Sequence, residues 1–299
     1  MFTKFADTPL MSIVLTIDKS FEAHRKAIEN LNLQTGKARI EVVLVTSLPE
    51  ESIAVPALHG FLRVRCIRVA PDTTFAQAKA VGFQQAEAPV VAFTEDHSYP
   101  NPEWAEALLS AHQKPWAAVG PAVGNANPVN NFSWADLFIL YGRWVDADAA
   151  AVVTDLPGQG SSYKRAILMA YGEDLSSMLQ METHLHRDLQ LKGYQLYLEP
   201  AAKTYHENAT KPLAFVREHF HVGVKFARAR ANSWTALRRL LYSLAAPLIP
   251  AVRLKRIINQ IKLSGRHQEL FPGIWPHLAM GLAVSASGEM LGYMAKPLE

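Results

Sequence analysis

Short, almost wholly apolar runs alternating with helical periodicity set the architecture open to this chain. Met11 to Ile17 reads as a buried strand, and in the segment after it Phe21, Ala27/Ile28 and Leu31 recur at helical spacing. Ile40 to Val45 (IEVVLV) is nearly all apolar and β-branched, as expected of a parallel strand covered on both faces. Leu62 to Val69 interleaves apolar residues with Arg63, Arg65 and Arg68, which suits an edge strand; Phe75 to Ala86 is helical and Val90 to Phe93 is the next strand. This alternation predicts an open α/β sheet of the doubly wound kind, whose ligands bind beyond the carboxyl ends of the strands.

At such an end the run Val90–Phe93 empties into Thr94-Glu95-Asp96-His97 and is stopped by Ser98-Tyr99-Pro100. Two readings stand: a metal or phosphate site, or a solvated loop whose Asp and Ser cap a helix starting near Pro102-Glu103-Trp104. Pro102 to His112 reads as that helix, Ala117 to Val123 as a strand, and Leu156 to Ser162 as a glycine-rich loop opening onto Tyr163-Lys164-Arg165. Leu175 to Lys192 reads as one helix with Leu175, Met178, Leu179, Leu185 and Leu189 on a stripe, and Glu182 falls on that stripe. A carboxylate turned toward a core is costly unless it is partnered or used. Arg187 and Lys192 are the candidate ion partners, and chemistry is the other reading. Gly193 closes the helix, and Tyr194 to Leu198 reads as a strand. His184 and His186 invite a zinc reading, but helical positions i and i+2 face different ways and chelate poorly.

Charge is distributed unevenly. Between His219 and Gln268 there is no Asp or Glu, while ten Lys and Arg residues lie there, so an otherwise acidic chain carries a basic tail that wants an anionic partner. The tail's apolar stretches are too short or too diluted by Pro, Gly and Ser to span a bilayer. Arginine-flanked apolar helices with Trp234, Tyr242 and Trp275 suit an anionic membrane surface, and a packed helical subdomain is the alternative. The basic residues are interleaved with too much Leu and Ile for a nucleic-acid face. A single cysteine, Cys66, excludes an internal disulfide and suits a reducing compartment, and Asp7 and Pro9 ahead of the first apolar run argue against a cleaved signal peptide.

The order of these features resembles the family 2 glycosyltransferases of GT-A fold over roughly residues 11 to 206. Ser12-Ile13-Val14-Leu15 is similar to the family's first strand, Leu33-Gln34 to its "L-x-x-Q" helix end and Glu41–Val45 to its second strand. Ala78-Lys79-Ala80-Val81-Gly82 resembles "A-R-N-x-G", and Thr94–Pro100 resembles "L-D-D-D-T-x-P". Glu182, Gly193-Tyr194, Pro200 and His206 resemble "E-D…G-Y…P-x-A…H". The resemblance implies a GT-A domain over residues 1–215, with an amphipathic helical region over 216–299. It implies inverting transfer of a sugar from a nucleotide-diphosphate sugar to a lipid-linked (polyprenyl) or polysaccharide acceptor, with a divalent cation, Mn²⁺ or Mg²⁺. Glu182 would be the base, its pKa raised by partial burial. Asp96, His97 and His206 would serve the metal, and Thr16, Asp18, Thr46, Lys79, Glu95, Asp96, Lys164 and Arg165 the nucleotide-sugar. Thr46-Ser47 stands where many relatives have an acidic residue that pairs with the nucleotide base, which leaves that base open. The expected location is the cytoplasmic face of a membrane, attached peripherally. A non-catalytic nucleotide- or partner-binding relative and a nucleotide-sugar hydrolase are the competing readings.

Overall fold

The computed structural model describes residues 8–17, 24–49, 58–232 and 234–295. Asp18 and Phe21 lie outside the described residues. The chain forms two compact units, one of Met1–Gly124 with Asp148–Tyr205 and one of Asn125–Ala147 with His206–Glu299.

Among the described residues the first unit is built on a nine-stranded sheet: β1 (Met11–Ile17), β2 (Ile40–Thr46), β3 (Arg63–Arg68), β4 (Val90–Thr94), β5 (Ser98–Pro100), β6 (Ala118–Asn125), β7 (Ala151–Val153), β8 (Ser162–Lys164) and β9 (Leu196–His206). Its order is β3-β2-β1-β4-β8-β6-β9-β5, with β7 against β9. β3, β2, β1 and β4 run parallel, whereas β8 is antiparallel to β4 and β6. β1, β2 and β4 are almost wholly apolar because both faces are covered, whereas the edge strand β3 carries Arg63, Arg65 and Arg68 and is half-buried. On one face Val14, Val43, Val45, Val91 and Phe93 meet helix α2 (Phe75–Gln85) and the leucines at 175, 179, 185 and 189; on the other Ile13, Leu15, Val42, Leu44 and Ala92 meet Ile28, Leu31, Trp104 and Leu108. The latter four belong to helices α1 (Arg25–Asn32) and α3 (Trp104–Ala111). Glu41, the one charge on β2, is fully buried yet satisfied: it accepts from Ser12 Oγ at 2.5 Å, the Glu87 N–H at 2.6 Å and Arg65 at 2.8 Å. Burial pushes its carboxyl up, but those partners together hold it below the ordinary value, so it is part of the frame.

Three local readings change. Ser98-Tyr99-Pro100 is an edge strand rather than a stop, its proline at a position an edge tolerates. Helix α3 starts after Glu103 with no side-chain cap, so neither Asp96 nor Ser98 caps it. The expected helix over 175–192 is two helices, α6 (Leu175–Gln180) and α7 (Glu182–Leu191), broken at Met181, whose φ of −145° and ψ of 84° lie outside helical space; a short helix α5 (Arg165–Met169) precedes them.

The second unit contains α4 (Asn131–Tyr141), α8 (Pro212–Arg230), α9 (Ala236–Ala245), α10 (Ile249–Ser264) and α11 (Phe271–Met294). α8 and α11 meet backbone to backbone: a Cβ on Gly223 would collide with the Ser285 carbonyl, and one on Gly288 with the Phe220 carbonyl. Because backbone cannot step aside, Gly288→Val is expected to destabilise this unit by at least about 1–3 kcal/mol, the usual cost of overpacking, measured as a lower midpoint in chemical denaturation. No described helix is long and apolar enough to cross a membrane. Trp234 and Tyr242 are not the free interfacial anchors the sequence suggested: Trp234 stacks on Tyr293 at 5.7 Å, Tyr242 packs against both, and Arg238 lies 4.1 Å from the Trp234 ring.

Candidate active site

The register of the parallel strands aligns their carboxyl ends, Leu15 facing Thr94 and Ile17 facing Thr46. Thr16 and Thr46 therefore reach the same rim as the Glu95-Asp96-His97 segment. Thr46 Oγ1 accepts the Leu48 N–H at 3.1 Å, while Thr16 Oγ1 is buried without a partner among the described residues.

Below this rim Lys79, on α2, is 3 % exposed and donates to Glu95 Oε1 at 3.1 Å and Glu182 Oε1 at 3.0 Å. Its ammonium also lies 4.8 Å from the Phe75 ring centroid and 6.0 Å from that of Phe93. Burial alone would favour neutral lysine, but the two carboxylates outweigh it and raise its pKa, so the ammonium persists. The break at Met181 puts Glu182 in the first turn of α7, and its side chain turns to Lys79, not to Arg187 or Lys192. Lys192 pairs instead with Asp188 at 2.6 Å. The expected upward shift of the Glu182 pKa is thereby reversed: burial raises it, but the charge and hydrogen bond of Lys79, followed by its own N–H and His186, bring it below 4.5. Glu182 is a standing carboxylate with one oxygen held by lysine, and an added Cβ at Gly158 would sit 3.0 Å from the other.

Asp96 lies between two histidines, with His97 Nδ1 at 2.6 Å from Oδ1 and His24 Nε2 at 3.7 Å from Oδ2. In a neutral ring donating from Nδ1 to Asp96, Nε2 keeps its lone pair, 3.9 Å from Glu95 Oε2. A carboxylate holding one imidazole nitrogen so that the other can ligate is the usual support of a metal-binding histidine. Among the described residues, however, no group of three or more His, Cys, Asp or Glu side chains surrounds a common metal position. The donor set thus fits a cation that a substrate's phosphates help to hold, as hard divalent ions at phosphate sites commonly are. Three carboxylates against one lysine leave the cluster with net negative charge, which favours such an ion.

Gln159 escaped the sequence reading as a site residue, although its glycine-rich loop did not. Gly160 N–H bonds to Phe93 O, and Ser161 O accepts from Phe93 N–H, so the loop is fastened to the end of β4. Gly160 has a φ of 72°, a left-handed conformation that glycine adopts without strain. Gln159 Nε2 consequently reaches Glu95 Oε2 and comes within 3.4 Å of His97 Nε2, while its Oε1 is buried with no partner among the described residues.

Two expected site residues are placed elsewhere in the first unit. Lys164 pairs with Val90, at the opposite end of β4 from Glu95, because β8 runs antiparallel; at ~3.3 Å per residue the five-residue strand separates them by about 13 Å. Its Nζ donates to Lys114 O, and the adjacent Arg165 turns to the Met169 sulfur. His206 belongs to the second unit, where it is buried, its Nδ1 2.7 Å from Asn208 Oδ1 and its ring against Tyr141. His186 has no metal role: fully buried, it joins Asp155 Oδ1 at 2.5 Å to the Tyr163 hydroxyl at 2.8 Å.

The sequence profile of glycosyl transferase family 2 matches residues 12–172, more than half of the chain and the stretch that supplies Lys79, Glu95, Asp96, His97 and Gln159. The chain belongs to glycosyl transferase family 2. Solved structures agree on the architecture of this family 2 chain. One is a mannosyltransferase, PcManGT from Pyrobaculum calidifontis, in complex with GDP-Man and Mn²⁺. It is similar with a TM-score of 0.57 at 14 % identity, over 94 % of this chain and 87 % of that one. Another, GalNAc-T7 with UDP, GalNAc and Mn²⁺, is similar with a TM-score of 0.52 at 12 % identity over 67 % of this chain. This chain spans only 43 % of the length of that structure. At these identities the likeness establishes the fold, which is GT-A. No curated protein matches the chain.

Proposed function

We propose that this family 2 chain transfers a sugar, with inversion, from a nucleotide-diphosphate sugar to a hydroxyl of a lipid-linked or polysaccharide acceptor. The observation that carries the reading is the buried Lys79 bridging Glu95 and Glu182 beside the Asp96–His97 pair, at the sheet end where α/β folds bind ligands. Glu182 is the base. Its carboxylate accepts the proton of the acceptor hydroxyl as the hydroxyl oxygen bonds to the anomeric carbon and the bond to the nucleoside diphosphate breaks. Lys79 keeps Glu182 ionised and aimed; Glu95 and Gln159 position the donor, the unpartnered Gln159 Oε1 accepting from a sugar or ribose hydroxyl. Asp96 and His97 would hold a divalent cation together with the diphosphate. Such an ion, present as Mn²⁺ in both solved neighbours, supplies Lewis-acid neutralisation of the leaving group's charge. The acidic core domain and basic tail fit work at the cytoplasmic, anionic face of a membrane, where a lipid-linked acceptor is presented.

The test is a panel of nucleotide-sugars with Mn²⁺, scored by release of nucleoside diphosphate. Release from at least one donor, abolished by chelation and increased by a polyprenyl-linked acceptor, is the expected result. No release from any donor would remove the enzymatic reading, and release that no acceptor increases would move the chain to the hydrolases.

A further inference from the structure

On α9 the side chains of Leu237, Leu240, Leu241 and Leu244 are 68 %, 46 %, 57 % and 70 % exposed. At about 100° per residue they fall within one arc about 100° wide. The opposite side of the helix is the one that is held: Arg239 donates to the carbonyls of Ala231 and Ala295, and Ser243 Oγ to the carbonyl of Met290. An ordinary surface helix turns its apolar stripe inward and its polar side out. α9 does the reverse. Leu248 and Val252 follow at four-residue steps and are also mostly exposed. A contiguous apolar surface of this kind marks a site of attachment.

Charge selects what attaches. Lys225, Arg238, Lys255, Arg256 and Lys262 are exposed in the same unit, and from residue 219 to 268 there is no acidic residue. An exposed leucine face in a unit that also exposes these cations matches the boundary between acyl chains and anionic headgroups. A second copy of the same basic face would meet like charge, which disfavours self-association there. We infer that α9, continued by Leu248 and Val252, is an in-plane anchor that seats this unit on an anionic bilayer, the leucines among the acyl chains and Arg238, Lys255 and Arg256 at the phosphates. This rests on the proposed work at a membrane face and names the surface that performs it.

The full chain is tested by co-sedimentation with phosphatidylcholine vesicles, with and without phosphatidylglycerol, and by sedimentation velocity without lipid. The expected result is binding to the phosphatidylglycerol vesicles that weakens with salt. Leu240→Ser with Leu244→Ser is expected to lower that partition about 100-fold, each buried leucine accounting for about tenfold or more. Both leucines are exposed, so thermal midpoint and nucleoside diphosphate release in solution should be unchanged, which separates loss of the anchor from loss of the fold or the chemistry. Wild-type binding that the double variant retains would overturn the assignment of α9 and leave membrane attachment standing. Wild-type failure to bind either vesicle would overturn both, without touching the transfer reaction. A lipid-free dimer that the double variant abolishes would give the face to a second copy instead.

Discussion

Glu182→Gln is expected to lower kcat by about 10²–10⁴-fold, the usual contribution of a positioned general base, with KM little changed. Glutamine keeps the shape and can still accept from Lys79, and the Lys79–Glu95 contact is independent of it, so the variant should fold normally. The pH profile of the wild-type chain carries a second signature. Because Lys79 holds the Glu182 pKa below 4.5, the acid limb belonging to this group lies below that pH rather than near neutrality. Loss of turnover on acidification from pH 8 to 6 would therefore report another group. A Glu182→Gln variant with wild-type turnover would end the assignment of Glu182 as the base.

Lys79→Met should damage both stability and activity. Removing one partner of a buried ionic cluster typically costs about 3–5 kcal/mol, because the remaining charges stay desolvated and unpaired. Here two carboxylates would be stranded, Glu95 and Glu182. The pH dependence fixes the sign. In the wild type the lowered pKa of Glu182 contributes stability that is present above 4.5 and lost as pH falls through the folded value. The raised pKa of Lys79 contributes stability fully present below 10.5 and lost only as pH climbs through its higher folded value. In Lys79→Met the stranded Glu182 carboxylate is penalised above 4.5 and relieved on protonation. The stability gap between wild type and variant should thus be widest between about pH 5 and 10 and narrow toward acid, as urea denaturation at several pH values would show. A gap that is constant with pH would mean that Lys79 acts by packing alone.

The parallel strands were legible because burial on both faces demands apolar, β-branched runs, and Met11–Ile17 and Ile40–Val45 carry little else. Glu95, Asp96 and His97 were legible because charge gathered at the end of such a run stands out against it. The break at Met181 was not, since Leu175 and Leu179 before it and Leu185 and Leu189 after it enter the same core, and the stripe reads as continuous. That hidden break decides the chemistry of Glu182, whose partner lies 103 residues away on α2. The placement of Lys164 and Arg165 was hidden for a related reason: a basic pair after a glycine loop suggests a phosphate clamp, and only the direction of its strand shows at which end of β4 it lies. Gln159 gave no signal beyond its loop, because its role depends on the hydrogen bonds that fasten Gly160 and Ser161 to β4. In the tail, composition pointed to aromatic residues, of which Trp234 and Tyr242 are packed and Trp275 is exposed, whereas the leucines of α9 form an exposed face it did not single out.

The second unit is assembled from two separated stretches, 125–147 and 206–299, and the chain passes between the units at three points. No single cut can therefore release either unit intact. A fragment ending near residue 215 would retain α4, with its buried Leu137, Phe138 and Ile139, after removing α11, which packs against it. Excision of the catalytic unit for study would require replacing 125–147 by a short linker as well as stopping at the end of β9. For the same reason a lesion in the tail is also felt in the middle of the sequence, because α4, one of the helices on which α11 rests, is encoded before β7, β8 and β9 of the first unit.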